Sequence, residues 1–294
     1  MDVADLKVFE AVARLGGMNR ASAELHTVQS NVTSRVRNLE QELDTKLFIR
    51  HRNGVTLTAA GRRLLPFALR ARRLLDEAKR AVRDDGTPSG PLTLGSLETT
   101  AAHRLPPIVA SYGRLFPEVD IVLRTATNAR LIEDVLADRI EGAFVCGPVT
   151  DKRLAHDVVF REELVVATAT SVSRWESLVR NGELKIVVKP AGCSYRDRLE
   201  DVLARKGFAA RRLEFGTLEA VLGCVEAGLG ATLLPRTVVD PAERAGRVRT
   251  HRLGMADSEA ETVFIRQRDA CSSSAFNAFL DLVMRGGTLA VAAE

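Results

Sequence analysis

From Thr58 to Asp85 the chain holds no helix-breaking residue except Pro66, while Leu64, Ala68, Ala71, Leu75, Ala78 and Val82 recur at alternating spacings of four and three. That is the a/d pattern of a helix meeting another helix, and at 1.5 Å per residue it spans roughly 40 Å. A helix this long overhangs any small domain, so its apolar seam needs a partner. The simplest partner is the same helix of a second copy, and the six seam residues are therefore read as a dimerisation surface. The competing arrangement lays the helix along the chain's own C-terminal part. Thr58 is suited to cap the helix, and Pro66, beyond the first turn, should bend or locally strain it.

What precedes this helix is short and helical. Leu6, Phe9 and Ala13 keep helical spacing up to Gly16-Gly17, and Asn19 can cap a second helix running through Leu25. Thr27 can cap a third, in which Val28, Val32, Val36, Leu39 and Leu43 fall on one face. Two short helices joined by a tight turn make a helix-turn-helix. Lys46–Arg50 and Val55–Leu57 are strand-like runs around His51-Arg52-Asn53-Gly54, whose Asn-Gly pair signals a hairpin. That hairpin is a wing. The expected division is a winged helix-turn-helix at 1–58, a linker helix at 59–85 and a Gly-Pro-rich hinge at 86–90.

Charge separates the two ends of the 294-residue chain. Residues 1–85 carry 16 Lys and Arg against 11 Asp and Glu, whereas residues 86–294 carry 26 against 27, so the whole net charge of +4 originates at the N-terminal end. A polyanion partner for that end is the expectation. With Val28, Val32, Val36 and Leu39 turned inward, a 100° step per residue sets Ser30, Ser34, Arg37 and Gln41 on the opposite face of the third helix, with Thr33 beside them. No acid interrupts this face until Glu40 and Glu42. Gln29 at the tip can reach an adenine edge, and Arg50, Arg52, Arg62 and Arg63 are placed for phosphates. Thr27, Gln29, Ser30, Thr33, Ser34, Arg37, Arg50, Arg52 and Arg62 are the expected contacts to double-stranded DNA.

Beyond the hinge, strands and helices alternate: Leu92–Leu97, a helix over 101–115, Asp120–Thr125, a helix over 129–138, and Gly142–Cys146. This βαβαβ order predicts a parallel sheet. A second set follows, with strand candidates Leu164–Thr168, Ile186–Val188 and Ala231–Leu234. Strand Glu261–Gln267 and a helix over Ser273–Met284 should return to the first lobe. The expected domain at 91–294 thus has two lobes, lobe I at about 91–162 and 267–294 and lobe II at about 163–266. Ligands of such folds bind beyond the carboxyl ends of the strands. The loops there hold Thr99, Thr100, Thr127, Asn128, Gly147, Cys193, Ser194 and Thr217, the expected effector contacts. Helix starts converging on the cleft favour a small anion, most simply a carboxylate.

Several classes are disfavoured. No apolar run approaches the roughly 20 residues that cross a bilayer, and Met1-Asp2-Val3-Ala4-Asp5 lacks the basic, apolar start of a secretory signal, so a cytoplasmic protein is expected. Four dispersed cysteines (Cys146, Cys193, Cys224, Cys271) suggest reduced thiols and neither a zinc site nor a disulfide framework. No metal or cofactor is expected. Neither G-x-S-x-G, H-E-x-x-H, a Walker loop nor a complete dinucleotide fingerprint occurs, which argues against an enzyme. The rivals are an enzyme or transport protein on the same two-lobed fold, and a regulator switched by thiol oxidation at Cys193.

Residues L-K-V-F-x-A-V-A (6–13), L-H-T-V-Q-S-N-V-T-S-R-V-R-N-L-E (25–40), L-F-x-R (47–50) and L-T-A-A-G (57–61) resemble the DNA-binding domain of LysR-type transcriptional regulators. G-C-S-Y-R (192–196) and V-E-A-G-L-G-A-T-L-L-P (225–235) are similar to that family's effector domain. The likeness covers essentially the whole chain. It implies an α/β fold with a helix-rich N-terminal part and a two-lobed, periplasmic-binding-protein-like effector domain. It also implies an operator-bound homodimer or homotetramer, a small-molecule effector and activation through RNA polymerase. Family members place Ser or Thr in the loop matched by Thr99-Thr100, and use positions matching Thr127, Asn128 and Thr217 for effectors. The chain departs from the family's pattern at Met18-Asn19-Arg20, Val28, Asp44-Thr45 and Gly142.

Overall fold

The computed structural model describes residues 1–52, 54–254, 257–269 and 272–291, apart from the side chains at 77, 80 and 287–291; Asn53 of the wing turn and Cys271 lie outside the described residues. The chain forms two compact units, Met1–Asp85 and Gly86–Glu294.

The first unit begins with α1 (Val3–Leu15), capped by Asp2, whose carboxylate accepts the Asp5 N–H at 2.7 Å while the Asp5 side chain answers at 3.0 Å. Next come α2 (Met18–Glu24), α3 (Gln29–Glu42), the hairpin β1 (Phe48–His51) and β2 (Gly54–Leu57), and α4 (Ala59–Arg83). Phe9, Val12, Val32, Val36, Leu39 and Leu47 close the core between the helices and the wing. The wing is pinned by Val55 N–H to the Gly16 carbonyl at 3.0 Å. A side chain at Gly54, where φ is +132°, would meet that same carbonyl oxygen at 2.2 Å. Only glycine fits there.

Three local expectations change. Gly17, not Asn19, precedes α2, and no side chain caps that helix. The α3 cap is Val28, which is 66% exposed, so the core face starts at Val32; Thr27 instead accepts from Asn31 Nδ2 at 3.0 Å. The α4 seam divides. Thr58 caps as expected, its Oγ1 accepting the Gly61 N–H at 3.0 Å, but Ala68 is buried in the core of its own unit and Leu64 packs against it. Beyond them Leu75, Ala78 and Val82 are exposed, joined by Phe67 and Leu74. The helix as far as Arg72, in its fourth turn, is needed to hold α1: buried Glu10 accepts from Arg14 Nε at 3.0 Å and from Arg72 Nη1 at 3.1 Å. The helix runs through Pro66 without ending.

The second unit contains β3 (Gly90–Ser96), α5 (Glu98–His103), α6 (Leu105–Leu115), β4 (Val119–Thr125), α7 (Asn128–Leu136), β5 (Gly142–Cys146) and β6 (Leu154–Ala169). It continues with β7 (Glu183–Val188), α8 (Ser194–Arg205), β8 (Ala209–Glu214), α9 (Leu218–Glu226), β9 (Thr232–Pro235), α10 (Arg236–Arg244), β10 (Val248–Arg252), β11 (Glu259–Gln267) and α11 (Ser274–Val291). The main sheet runs β10-β6-β11-β5-β3-β4, with β9 also on β6 and a separate parallel pair β7-β8. Ile186 of β7 bridges to Ala231, which ties that pair to β9.

The sheet is mixed where an all-parallel one was expected. Strands β3, β4 and β5 are parallel, but β11 is antiparallel to both β5 and β6, and β6 is antiparallel to β9 and β10. Strand β6 joins the lobes: residues 154–163 pair with β11, and residues 164–169 pair with β9 and β10. Strand β11 returns to lobe I as expected of Glu261–Gln267, pairing with β5 from Thr262 onward and so ahead of the 267 boundary. Lobe I is packed by aromatic rings, with Phe144 and Phe264 centred 4.8 Å apart and the buried Tyr112 hydroxyl donating to the Ala275 carbonyl at 2.7 Å.

Candidate nucleic-acid interface and ligand cleft

Helix α3 presents Gln29, Ser30, Ser34, Arg37 and Gln41 fully to solvent, with Thr33 and Thr27 half-buried beside them. Its polar face is freer of acid than its sequence suggests. Glu40 is turned inward and buried, where Oε1 accepts the Leu47 and Phe48 N–H groups at 2.8 and 3.3 Å and Oε2 accepts from Lys46 at 2.9 Å. Burial opposes ionisation, yet Lys46 and the two amides outweigh it and hold this carboxyl below its ordinary range. Glu40 therefore fixes the wing to the end of α3. Arg35, absent from the expected contacts, faces α1 and pairs with Asp5 at 2.8 Å. Arg50, Arg52 and Arg63 are exposed, and Arg62 is exposed but donates to the Leu57 carbonyl at 2.9 Å. No side chain caps the first turn of α3; the Asn31 N–H meets the Val28 carbonyl at 3.1 Å, and the Gln29 and Ser30 amides stay open.

In the second unit a cavity of about 290 Å³ lies between the lobes, lined from lobe I by Leu97, Glu98, Thr99 and Thr125–Thr127. Lobe II contributes Val188–Pro190, Gly192–Arg196, Gly216, Leu218, Val221 and Thr232–Leu234. Of the eight expected ligand residues, Thr99, Thr127, Cys193 and Ser194 line it. Thr100, Asn128, Gly147 and Thr217 do not. Thr100 is buried within α5, and Asn128 is committed to the Cys146 backbone, donating to its carbonyl at 2.9 Å and accepting its N–H at 2.8 Å. Thr217 caps α9, its Oγ1 accepting the Ala220 N–H at 3.2 Å. Thr127 likewise caps α7 while also facing the cavity.

Sequence reasoning missed the charged elements of this cleft. Glu98 of lobe I and Lys189 of lobe II form an ion pair across it. Tyr195, from the first turn of α8, is buried and its hydroxyl lies 3.4 Å from Thr99 Oγ1, a second link between lobes. Burial pushes this phenol well above its ordinary range, so it stays protonated. Lys189 could have been suspected from its place directly after a strand, and Glu98 and Tyr195 from theirs beside Thr99 and Ser194 in the expected ligand loops. Arg196 is neutralised by Glu200 at 3.0 Å and Glu214 at 2.9 Å. Cys146, Cys193 and Cys224 are free thiols. Among the described residues no helix is long and apolar enough to cross a membrane, and no His, Cys, Asp and Glu cluster could hold a metal.

Comparison with known proteins covers both units. Residues 3–62 match the family described as bacterial regulatory helix-turn-helix protein, lysR family, and residues 85–287 match the LysR substrate binding domain. The HTH-type transcriptional regulator GltR of Bacillus subtilis is 40% identical over 95% of this chain and 95% of its own length. YofA of the same organism is 42% identical over 96% and 98%. Among solved structures, ArgP from Mycobacterium tuberculosis superposes with a TM-score of 0.71 at 17% identity over 98% of both chains. Full-length CbnR complexed with its target DNA gives 0.68 at 22% identity over 97% of this chain and 99% of that one. With both of its units matched and relatives similar along nearly their full length, the chain belongs to the LysR family of DNA-binding transcriptional regulators with a substrate-binding domain.

Proposed function

We propose that this regulator grips double-stranded operator DNA as a homodimer or homotetramer in the cytoplasm, reading bases with α3 and phosphates with the wing. A small carboxylate-bearing metabolite in the cleft biases its quaternary arrangement, and with it activation through RNA polymerase. On this reading it acts as a regulator and not as an enzyme, in keeping with relatives that are transcriptional regulators. The observation that carries the DNA reading is the exposed, acid-free face of α3 beside Arg50 and Arg52, with Glu40 withdrawn into the core. The DNA-bound CbnR relative shares this fold and supports the assignment.

Operator titration tests it. Gln29→Ala and Ser34→Ala should each cost about 1–3 kcal/mol at the cognate site and relax base preference there. Arg52→Ala should weaken cognate and random DNA alike and lower the salt slope by about one. Normal operator affinity in both the Gln29 and Ser34 variants would show that α3 does not read bases.

A further inference from the structure

We infer that the cleft takes an α-amino carboxylate with an apolar side chain, its ammonium group met by Glu98 and its carboxylate by Lys189 and the start of α8. This rests on the reading of the cleft as the effector site and narrows it. The two charged groups come from opposite lobes, line the same cavity and bind each other, with side chains 34% and 28% exposed. A ligand bearing only a carboxylate gains Lys189 by parting it from Glu98, and so leaves a partly desolvated carboxylate beside new negative charge. A simple amine creates the converse problem at Lys189. A zwitterion inserted between them replaces one ion pair with two.

Thr232 also lines the cavity and is only 2% exposed, so it sets a hydroxyl-bearing side chain in the cavity wall. Near it, α8 begins at Ser194 with no side-chain cap, so its first amides also remain available to a carboxylate. Arg196 does not compete for the ligand, since Glu200 and Glu214 hold it. Elsewhere the lining is apolar: Leu97, Ala126, Val188, Leu218, Val221 and Leu233 suit a hydrocarbon side chain. A volume of about 290 Å³ corresponds to on the order of ten waters, the scale of leucine or phenylalanine.

The test uses the full chain. The twenty amino acids are screened by thermal shift, and calorimetry then compares leucine and phenylalanine with their truncated partners. These are 4-methylpentanoate and 3-phenylpropanoate, lacking the amine, and 3-methylbutylamine and 2-phenylethylamine, lacking the carboxylate. At least one amino acid should bind more than about tenfold tighter than either partner, a difference of ~1.4 kcal/mol. In Glu98→Gln the advantage over the des-amino acid should shrink to about twofold. A des-amino acid that binds as tightly as its parent, an unchanged preference in Glu98→Gln, or failure of all twenty amino acids overturns the assignment. If other carboxylates or neutral metabolites then bind and alter operator affinity, the cleft remains the effector site with a different ligand. If no small molecule does so, the effector reading falls as well.

Discussion

Replacing Leu75 with Glu is expected to yield a folded monomer whose operator affinity is lower by roughly 100-fold or more. Helix α4 runs for 25 residues, about 37 Å at 1.5 Å per residue, and its packing into the core of its own unit reaches Ala68, with Arg72 extending to Glu10. Phe67, Leu74, Leu75 and Val82 are between 39% and 88% exposed on a single chain, more large apolar surface than one helix leaves to water without a partner. A two-fold pairing would bring Leu75 in twice, so one substitution places two carboxylates in the joint. Each separated copy then reaches a single half-site. Because Leu75 lies outside the buried core, the thermal melt of each unit should stay near the parent's. Sedimentation velocity gives the decisive reading. A variant that sediments as a dimer and binds operator normally would remove α4 from its assigned role.

The second large effect is expected at Glu40. Glu40→Ala strands the buried Leu47 and Phe48 amides and frees Lys46, at a cost of about 2–4 kcal/mol to the first unit. The loss should depend on pH in a definite sense. The folded carboxyl titrates below its ordinary range, so its contribution is complete above the unfolded value of about 4.3 and fades as pH falls through the folded value. The stability gap between parent and variant, from urea unfolding, should therefore be widest near neutrality and narrow below about pH 4. A gap that widens in acid would mean the carboxylate is not the acceptor. Operator binding should fall with stability, since the wing loses its tie to α3.

The N-terminal unit was legible because its signals are local: glycine at a helix end, Thr58 before a long helix, and apolar spacing of three and four. Its errors are also local. Val28 fits the heptad-like pattern but precedes the first helical turn, and periodicity does not mark where a helix begins. Glu40 was read as a surface acid, since nothing local announces that a carboxylate will turn inward to collect amides seven and eight residues on. In the second unit, strands β8 (Ala209–Glu214) and β10 (Val248–Arg252) escaped notice because charged residues fill them, as edge positions permit. Strand β6 was recognised only at its apolar end, for Arg161, Glu162 and Glu163 interrupt the pattern. The cleft was found by topology, yet only four of the eight expected residues line its cavity: Thr217 caps a helix, Asn128 clamps a strand and Thr100 is buried in α5. Which side chain faces the cavity depends on strand twist and lobe packing, and those lie beyond sequence spacing.

The continuity of β6 limits how such a regulator can signal. Sixteen consecutive residues belong to one hydrogen-bonded ribbon shared by both halves of the effector domain, and β11 lies along its first part. The ladder stiffens the ribbon within each half, and its partners change between residues 163 and 164, so that point is where the ribbon can twist and carry one half against the other like a leaf spring. On the proposed reading, effector occupancy would change an angle more than a distance. Over the breadth of an oligomer, small angular differences add up to a changed spacing between DNA-reading heads, so a ligand of a few heavy atoms need not move any loop far to alter which operator geometry is preferred.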